Sequence, residues 1–277
     1  MTLPGQFPPL EPVLIPYPAS VRVRPYTDAQ TQAFLADNAD LDDTLLLWDR
    51  KSGYPGMLEA VVRPMVQLQA QIWEAVFDNR IGRYRYIKSG RFVSAANLRM
   101  GVLRVSTAQE QVMASLTQSL IDGEITQRQW YLQMRKAMKD QYRSSWLASI
   151  GGRENYTRSE VSKFGWSVRD QYRWLDNFFI QLQTGEQALN GFAVRRARMY
   201  ARAGNGIYQN NLLRMALEHG MTEGRRILGE NDNHCHDSSR PGCIELAKKG
   251  WIPIRELTPI GSATCLSNDL CRYEFRR

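Results

Sequence analysis

All four cysteines of the chain, Cys235, Cys243, Cys265 and Cys271, fall in its last 45 residues. They form two pairs, with seven residues inside the first, five inside the second and 21 between the pairs, and His234 and His236 flank Cys235. Thiolates and imidazoles are ligands that zinc prefers, and two ligand pairs joined by a loop commonly assemble a tetrahedral zinc site. The gaps are wider than the two residues of common zinc ribbons, so three states stay open: structural zinc, disulfides, or free buried thiols. Zinc is the favoured one. A segment this short, with three prolines and few large apolar side chains, builds little core alone. Structural zinc contributes on the order of 10 kcal/mol, against roughly 3 for a disulfide. The expected ligands are the four cysteines, with His234 or His236 able to replace one. There is no HExxH pattern, so the expected role of the metal is structural rather than catalytic.

Basic side chains form the second group with chemical potential. Arg80, Arg83, Arg85, Lys88, Arg91, Arg99 and Arg104 follow one another with no acid between Asp78 and Glu110. Arg195, Arg196, Arg198, Arg202 and Arg214 do the same between Glu186 and Glu218. On a helical wheel Arg195, Arg198 and Arg202 fall within about 60° of one another. Such clusters can neutralise phosphates without reading base sequence. Arg83, Arg85, Lys88, Arg91, Arg195, Arg198 and Arg202 are therefore the candidate contacts to nucleic acid or to an acidic partner. The simpler alternative is a solvated face, or pairing with acids distant in sequence, and the modest net charge of +8 favours it.

Other catalytic patterns are missing. The chain has no GxxxxGK[ST] loop and no GxSxG elbow. His219 stands alone near an expected helix end. We expect no enzymatic activity.

The elements that must carry these residues are read from proline and apolar spacing. Seven of the twelve prolines lie in the first 25 residues, and none occurs between Pro64 and Pro241. An interior proline costs a helix ~3 kcal/mol, so this long gap predicts helices. Trp130, Met134, Met138, Tyr142 and Trp146 recur at steps of three to four, behind a Thr126 cap. Phe164, Val168, Tyr172, Leu175, Phe179 and Leu182 form a second stripe. Gly151-Gly152 and Gly185 punctuate these helices. Between residues 82 and 93, Arg83-Tyr84-Arg85-Tyr86-Ile87 alternates basic and apolar residues. Lys88-Ser89-Gly90 then supplies a turn into Arg91-Phe92-Val93, which predicts a hairpin with one charged face.

The expected fold class is mainly α. Residues 1–26 form an extended, proline-rich arm, free or ordered against a neighbouring subunit. Residues 27–222 form a helical body with the basic hairpin, and 223–277 a small cysteine-rich, zinc-ribbon-like module. Composition agrees with a globular chain: 43% hydrophobic and 23% charged residues exclude disorder over most of its length. No apolar run approaches the ~18–20 residues of a membrane span. The first 21 residues lack Lys and Arg and are broken by prolines, so no secretory signal is expected.

Several landmarks then stand in order: Arg196-Ala197-Arg198-Met199-Tyr200, Gly224-Arg225-Arg226-Ile227-Leu228-Gly229, His234-Cys235, Cys243, Gly250-Trp251-Ile252-Pro253-Ile254, Pro259-Ile260-Gly261, and Cys265 to Cys271. This stretch, about 190–275, resembles the C-terminal part of phage Mu F-like head morphogenesis proteins. Gly90-Arg91-Phe92-Val93-Ser94 and the Gly123 to Trp130 segment are similar, more weakly, to upstream parts of some members. The family often ends in a closely spaced Cys-x-Cys, whereas here Asp269 stands two residues before Cys271, which brings a carboxylate or histidine ligand into consideration. The resemblance implies a structural or assembly protein of tailed-phage virions, put together in the host cytoplasm and associated with the portal or inner capsid. Its implied partners are portal or major capsid protein, further copies of the chain and packaged DNA, with no membrane. The alternative class is a zinc-containing nucleic-acid-binding protein acting on packaged DNA, and a phage-borne nuclease or effector is a more distant third.

Overall fold

Most of the described part of the proline-free stretch folds into helices. In the computed structural model, which describes residues 75–78, 83–151, 155–229 and 234–277, four long helices dominate: α1 (Ala95–Ile121), α2 (Gln127–Ile150), α3 (Arg158–Thr184) and α4 (Gly191–Glu218). The 1–26 arm, the acidic N-terminal region, Arg80 and Gly152 lie outside the described residues.

Capping fixes where the helices begin and stop. Thr126 accepts from the Gln129 backbone N–H while the Gln129 side chain accepts from the Thr126 N–H, a reciprocal box that satisfies two otherwise orphaned donors at the start of α2. Thr157 and Asn190 cap α3 and α4 in the simpler one-sided way. Gly151 and Gly185 take left-handed conformations that end α2 and α3.

Apolar spacing then decides the packing. Trp130, Met134, Met138, Tyr142 and Trp146 are all buried, as are Phe164, Val168, Leu175 and Leu182. On α3, however, Phe178 occupies the core and Phe179 only its margin, where it stacks on Tyr131 with centroids 4.6 Å apart. Trp130 meets Phe178 at 5.2 Å and Trp146 meets Phe164 at 5.8 Å, so α2 and α3 run antiparallel. Trp130 Nε1 donates to Thr117 and Gln141 Nε2 to Ser106, which makes α1 and α2 antiparallel as well. Tyr142 donates to the Tyr200 carbonyl, and Asn211 to Ser149, so α2 and α4 run in the same direction. The result is an up-down-up-down set of four helices.

Close approach at the α2–α4 seam has a specific cause. Gln141 also donates to the Ala201 carbonyl, and a Cβ on Gly204 would lie only 2.5 Å from Gln141 Nε2. A larger residue at 204 would push the buried amide away.

The basic strand pairs differently from expectation. Arg83–Tyr86 is a strand, β2, but its partner is upstream: β1 (Ala75–Asp78) runs antiparallel to it, from Ala75 opposite Tyr86 to Asp78 opposite Arg83. Arg91–Val93 contributes only the single bridge Arg85–Phe92, because the chain turns into α1 two residues after Val93 and has no length left for a strand.

After α4 the chain forms a three-stranded antiparallel sheet, with β3 (Glu223–Ile227) between β4 (Ile252–Pro253) and β5 (Arg272–Arg276). A short helix, α5 (Cys243–Lys248), and two single turns at Ile254–Glu256 and Leu266–Asn268 complete it. Its small core of Cys243, Leu246, Ile254, Leu257, Ile260, Ala263, Cys271 and Tyr273 extends onto Ala216 of α4. Leu270 reaches further and packs with Met100 and Leu103 of α1.

Two outcomes test this packing by chemical denaturation. Trp130→Ala should cost ~3–5 kcal/mol, as a fully buried indole is lost, and Thr126→Ala about 1 kcal/mol. A third concerns pH. Burial alone would raise the Glu218 carboxyl, but hydrogen bonds from Arg214 and Lys163 win and hold it below its ordinary 4.5. A depressed carboxylate contributes stability above its unfolded pKa and loses it as pH falls through the folded one. Glu218→Gln should therefore flatten the acid side of the stability profile below about pH 4.5 and leave the alkaline side unchanged.

Candidate metal centre

Strand β3 alternates its residues between a half-buried and a buried face, and the buried face carries Arg226. A buried guanidinium needs a countercharge. Asp269 supplies it, with Arg226 Nη1 2.8 Å from Asp269 Oδ2 and both side chains almost wholly inaccessible, at 2% and 1% exposure. Burial alone would weaken the hold of Arg226 on its proton, but the Asp269 carboxylate beside it makes the net shift upward.

The cysteines gather around this pair. Cys243 sits at the start of α5, its N–H 3.2 Å from Cys235 Sγ and its own Sγ 3.1 Å from Cys265 Sγ. The sulfurs of Cys235, Cys243 and Cys265 all lie within 4.8 Å of one another, and so do the donor atoms of Cys243, Asp269 and Cys271. Cys243 belongs to both groups and is the hub. Thiolates around one tetrahedral zinc stand roughly 3.8 Å apart, given Zn–S distances of about 2.3 Å, so the group of Cys235, Cys243 and Cys265 suits a soft cation. Cys271 groups with Cys243 and Asp269 and not with Cys235 and Cys265. All four cysteines are free thiols. Hydrogen bonding with Cys265 pushes the Cys243 thiol well above its ordinary range, and hydrogen bonding with Cys243, together with burial, does the same to Cys271. A cation entering here would displace protons that the protein otherwise retains.

Asp269 is close enough to count as a donor, but its oxygens are engaged. Oδ2 accepts from Arg226 and from the Gly261 N–H at 3.1 Å, while Oδ1 accepts from the Cys271 N–H at 3.2 Å. Arg226 Nη1 also reaches Cys243 Sγ at 3.5 Å, and its Nη2 donates to the Thr258 carbonyl. A positive guanidinium at this position opposes a second cation between Cys243, Asp269 and Cys271, and it offsets the negative charge of a thiolate cluster on the other side of Cys243.

The histidines stand apart from the cluster. His236 is exposed and its Nδ1 lies 2.9 Å from Glu245 Oε1, so the carboxylate of α5 draws it to the surface. His234 is half-buried and belongs to neither donor group. Neither takes the place of a cysteine ligand in this arrangement. His219 ends α4, with its ring 2.7 Å from the Met215 carbonyl.

The arginines disperse. Arg202, one of the candidate contacts, is buried and pairs with an acid distant in sequence: it meets Glu110 of α1 at 3.0 Å and donates to Asn268 at 2.7 Å. Burial raises the Glu110 carboxyl, and the Arg202 and Arg198 charges offset only part of that rise. Arg195 is half-buried over the Phe192 ring, and Arg198 is half-buried as well. Arg85 pairs with Asp78 and lies over Phe92. Lys88 and Arg91 are exposed at the turn before α1, while the Arg83 side chain lies outside the described residues.

Sequence reasoning passed over the residues that dock the centre onto the bundle. Asn205 Nδ2 donates to the Asp269 carbonyl at 2.8 Å and to the Cys271 carbonyl at 3.3 Å. Gln209 accepts from the Tyr273 N–H, and Asn210 exchanges two 2.9 Å bonds with the Ile260 backbone. From α1, Arg99 donates to the Leu270 carbonyl. The available signal was a helix interior dense in poor helix formers, Gly204-Asn205-Gly206 and Asn210-Asn211.

Breaking the ion pair from one side should be costly. Arg226→Met strands a buried carboxylate and should lose ~3–5 kcal/mol, while the double variant Arg226→Met/Asp269→Asn should lose less than the two single losses added together. Urea titration of the four-member cycle measures this, and strictly additive losses would refute the pairing. No family model, no curated protein and no solved structure matches the chain.

Proposed function

We propose that the chain is a virion structural or assembly protein of a tailed phage, a minor head protein associated with the portal or inner capsid. In this reading its C-terminal module is zinc-ribbon-like and stapled by one zinc ion on Cys235, Cys243, Cys265 and Cys271, with Asp269 and Arg226 outside the ligand set. The observation that carries the reading is where the ordered landmarks stand. Gly224–Gly229, Cys235, Cys243, Gly250–Ile254, Pro259–Gly261 and Cys265–Cys271, spread over some fifty residues, build one sheet and one buried cluster. Several of the residues that carry the family resemblance, Cys243, Ile254, Ile260 and Cys271 among them, thus lie in the core of the module.

The metal supplies a cross-link between segments that have little apolar surface of their own. The chain's own residues do the rest. Cys235 lies before α5, Cys243 begins it, Cys265 precedes the turn at Leu266–Asn268, and Cys271 leads into β5, so joining them closes the module on itself. The bundle offers a rigid body to neighbouring subunits, and the proline-rich residues 1–26 would extend across one of them. Portal protein, major capsid protein and further copies of the chain are the partners in this reading.

The nucleic-acid alternative draws less support. Arg202 and Arg99 are consumed inside the fold, and Arg85 already has a carboxylate partner. Among the described candidates, the exposed Lys88 and Arg91 and the half-buried Arg195 and Arg198 are left for any contact with packaged DNA.

Mass spectrometry of purified particles from the encoding phage should find the chain at a fixed ratio to portal protein, and its absence from particles would sink the assembly role. Metal analysis should find about one zinc per chain in the wild type and a marked loss in Cys265→Ser. Metal-free, fully folded wild type would overturn the staple. DNA affinity should be weak, with a shallow salt slope; tight binding that falls steeply with salt would instead favour the nucleic-acid class.

A further inference from the structure

Helix α4 touches the metal centre through amides aimed at backbone, and the bonds run in a chain toward the sulfurs. Asn205 holds the carbonyls of Asp269 and Cys271, the second being a ligand residue in the zinc reading. Asn210 pairs with Ile260 through both its donor and its acceptor. The next N–H along, from Gly261, donates to the Asp269 carboxylate. That carboxylate also accepts from the Cys271 N–H and holds Arg226, whose guanidinium reaches Cys243. From the far side, Arg99 of α1 fixes the Leu270 carbonyl. The segment bearing Cys271 is therefore gripped by two helices of the bundle, and Cys243 is connected to it through one ion pair.

The helix accepts a local penalty for this. Asparagine and glycine are poor helix formers, and a buried amide without partners costs about 1–3 kcal/mol. Asn205 is fully buried and spends both hydrogens of its amide group on the module.

We infer that Asn205 and Asn210 are positioning residues for the metal centre, and that zinc binding is coupled through them to the order of helix α4. The inference rests on the reading that the cysteines hold zinc. Groups behind metal ligands set ligand geometry, and their loss typically weakens metal binding about 10- to 100-fold. The coupling is also reciprocal: whatever factor the ordered helix contributes to zinc affinity, bound zinc returns to the order of the helix.

The test uses the full chain and zinc itself. Affinity measured by chelator competition should fall about tenfold or more in Asn205→Ala and in Asn210→Ala. Thr126→Ala, which destabilises the bundle at the far cap of α2, should leave affinity unchanged. Cobalt-loaded variants should show altered visible bands, reporting changed ligand geometry, while the Thr126 variant keeps the wild-type spectrum. In the wild type, stripping zinc should speed amide hydrogen exchange in residues 205–211 far more than in α2. Folded Asn205 and Asn210 variants with wild-type zinc affinity would overturn the inference. If those variants fail to fold, the exchange experiment decides: unchanged protection of 205–211 on zinc removal refutes the coupling. A wild type that binds no zinc overturns the staple reading and the coupling together, an outcome distinct from zinc binding that ignores the two amides.

Discussion

The buried pair between Arg226 and Asp269 is the constraint around which the C-terminal module is arranged. Two charges at 2% and 1% exposure are tolerable only when every remaining donor and acceptor is used. That requirement recruits the N–H groups of Gly261 and Cys271 and the carbonyl of Thr258, and so dictates the paths of two loops. It also places Cys243 against the guanidinium, which makes the thiol cluster and the ion pair parts of one object.

Around this object, the bundle uses polar groups where an ordinary helical interface would use methyl groups. Gln141, Asn205, Asn210 and Asn211 bond to backbone or hydroxyl groups of neighbouring elements. Such bonds are directional. They select one register of α4 against the module and α2, whereas apolar contact alone would tolerate sliding. The sheet employs the same logic at its surface, where Arg225–Glu274 and Arg276–Glu223 pair across strands and both guanidinium groups lie over Trp251.

What could be read in the sequence follows from the range of each interaction. The aromatic stripes of α2 and α3 were legible because helical periodicity is local, and so was the Thr126 cap. Phe178 and Phe179 were not separable, since adjacent aromatics differ only by how α2 and α4 approach. The cysteines were legible as a group because soft ligands rarely cluster by chance. Asp269 was noticed two residues before Cys271, but its partner Arg226 lies 43 residues upstream, and no spacing rule links them. The arginine stretches show the same limit: Arg202 pairs with an acid distant in sequence, the kind of partner the modest net charge favours, but nothing in the spacing names Glu110, 92 residues away. Short strands such as β3 and β5, rich in charge and five residues long, pair only once the chain has folded back on itself. The basic hairpin is half legible: its strand, its turn and the short return at Arg85–Phe92 are local, whereas the longer pairing with β1 depends on an upstream segment.

The contact between α1 and the segment at 268–271 carries a consequence for how the chain is made. Arg99 and the Leu270 carbonyl are 171 positions apart, and Met100 and Leu103 share one buried cluster with Leu270. During synthesis helix α1 emerges long before residue 270, so the cluster of Met100, Leu103 and Leu270 cannot close until that segment does. Closing so long a loop is slow compared with forming helices. The nascent chain therefore spends an interval with that cluster open, and the segment at 268–271 is what closes it.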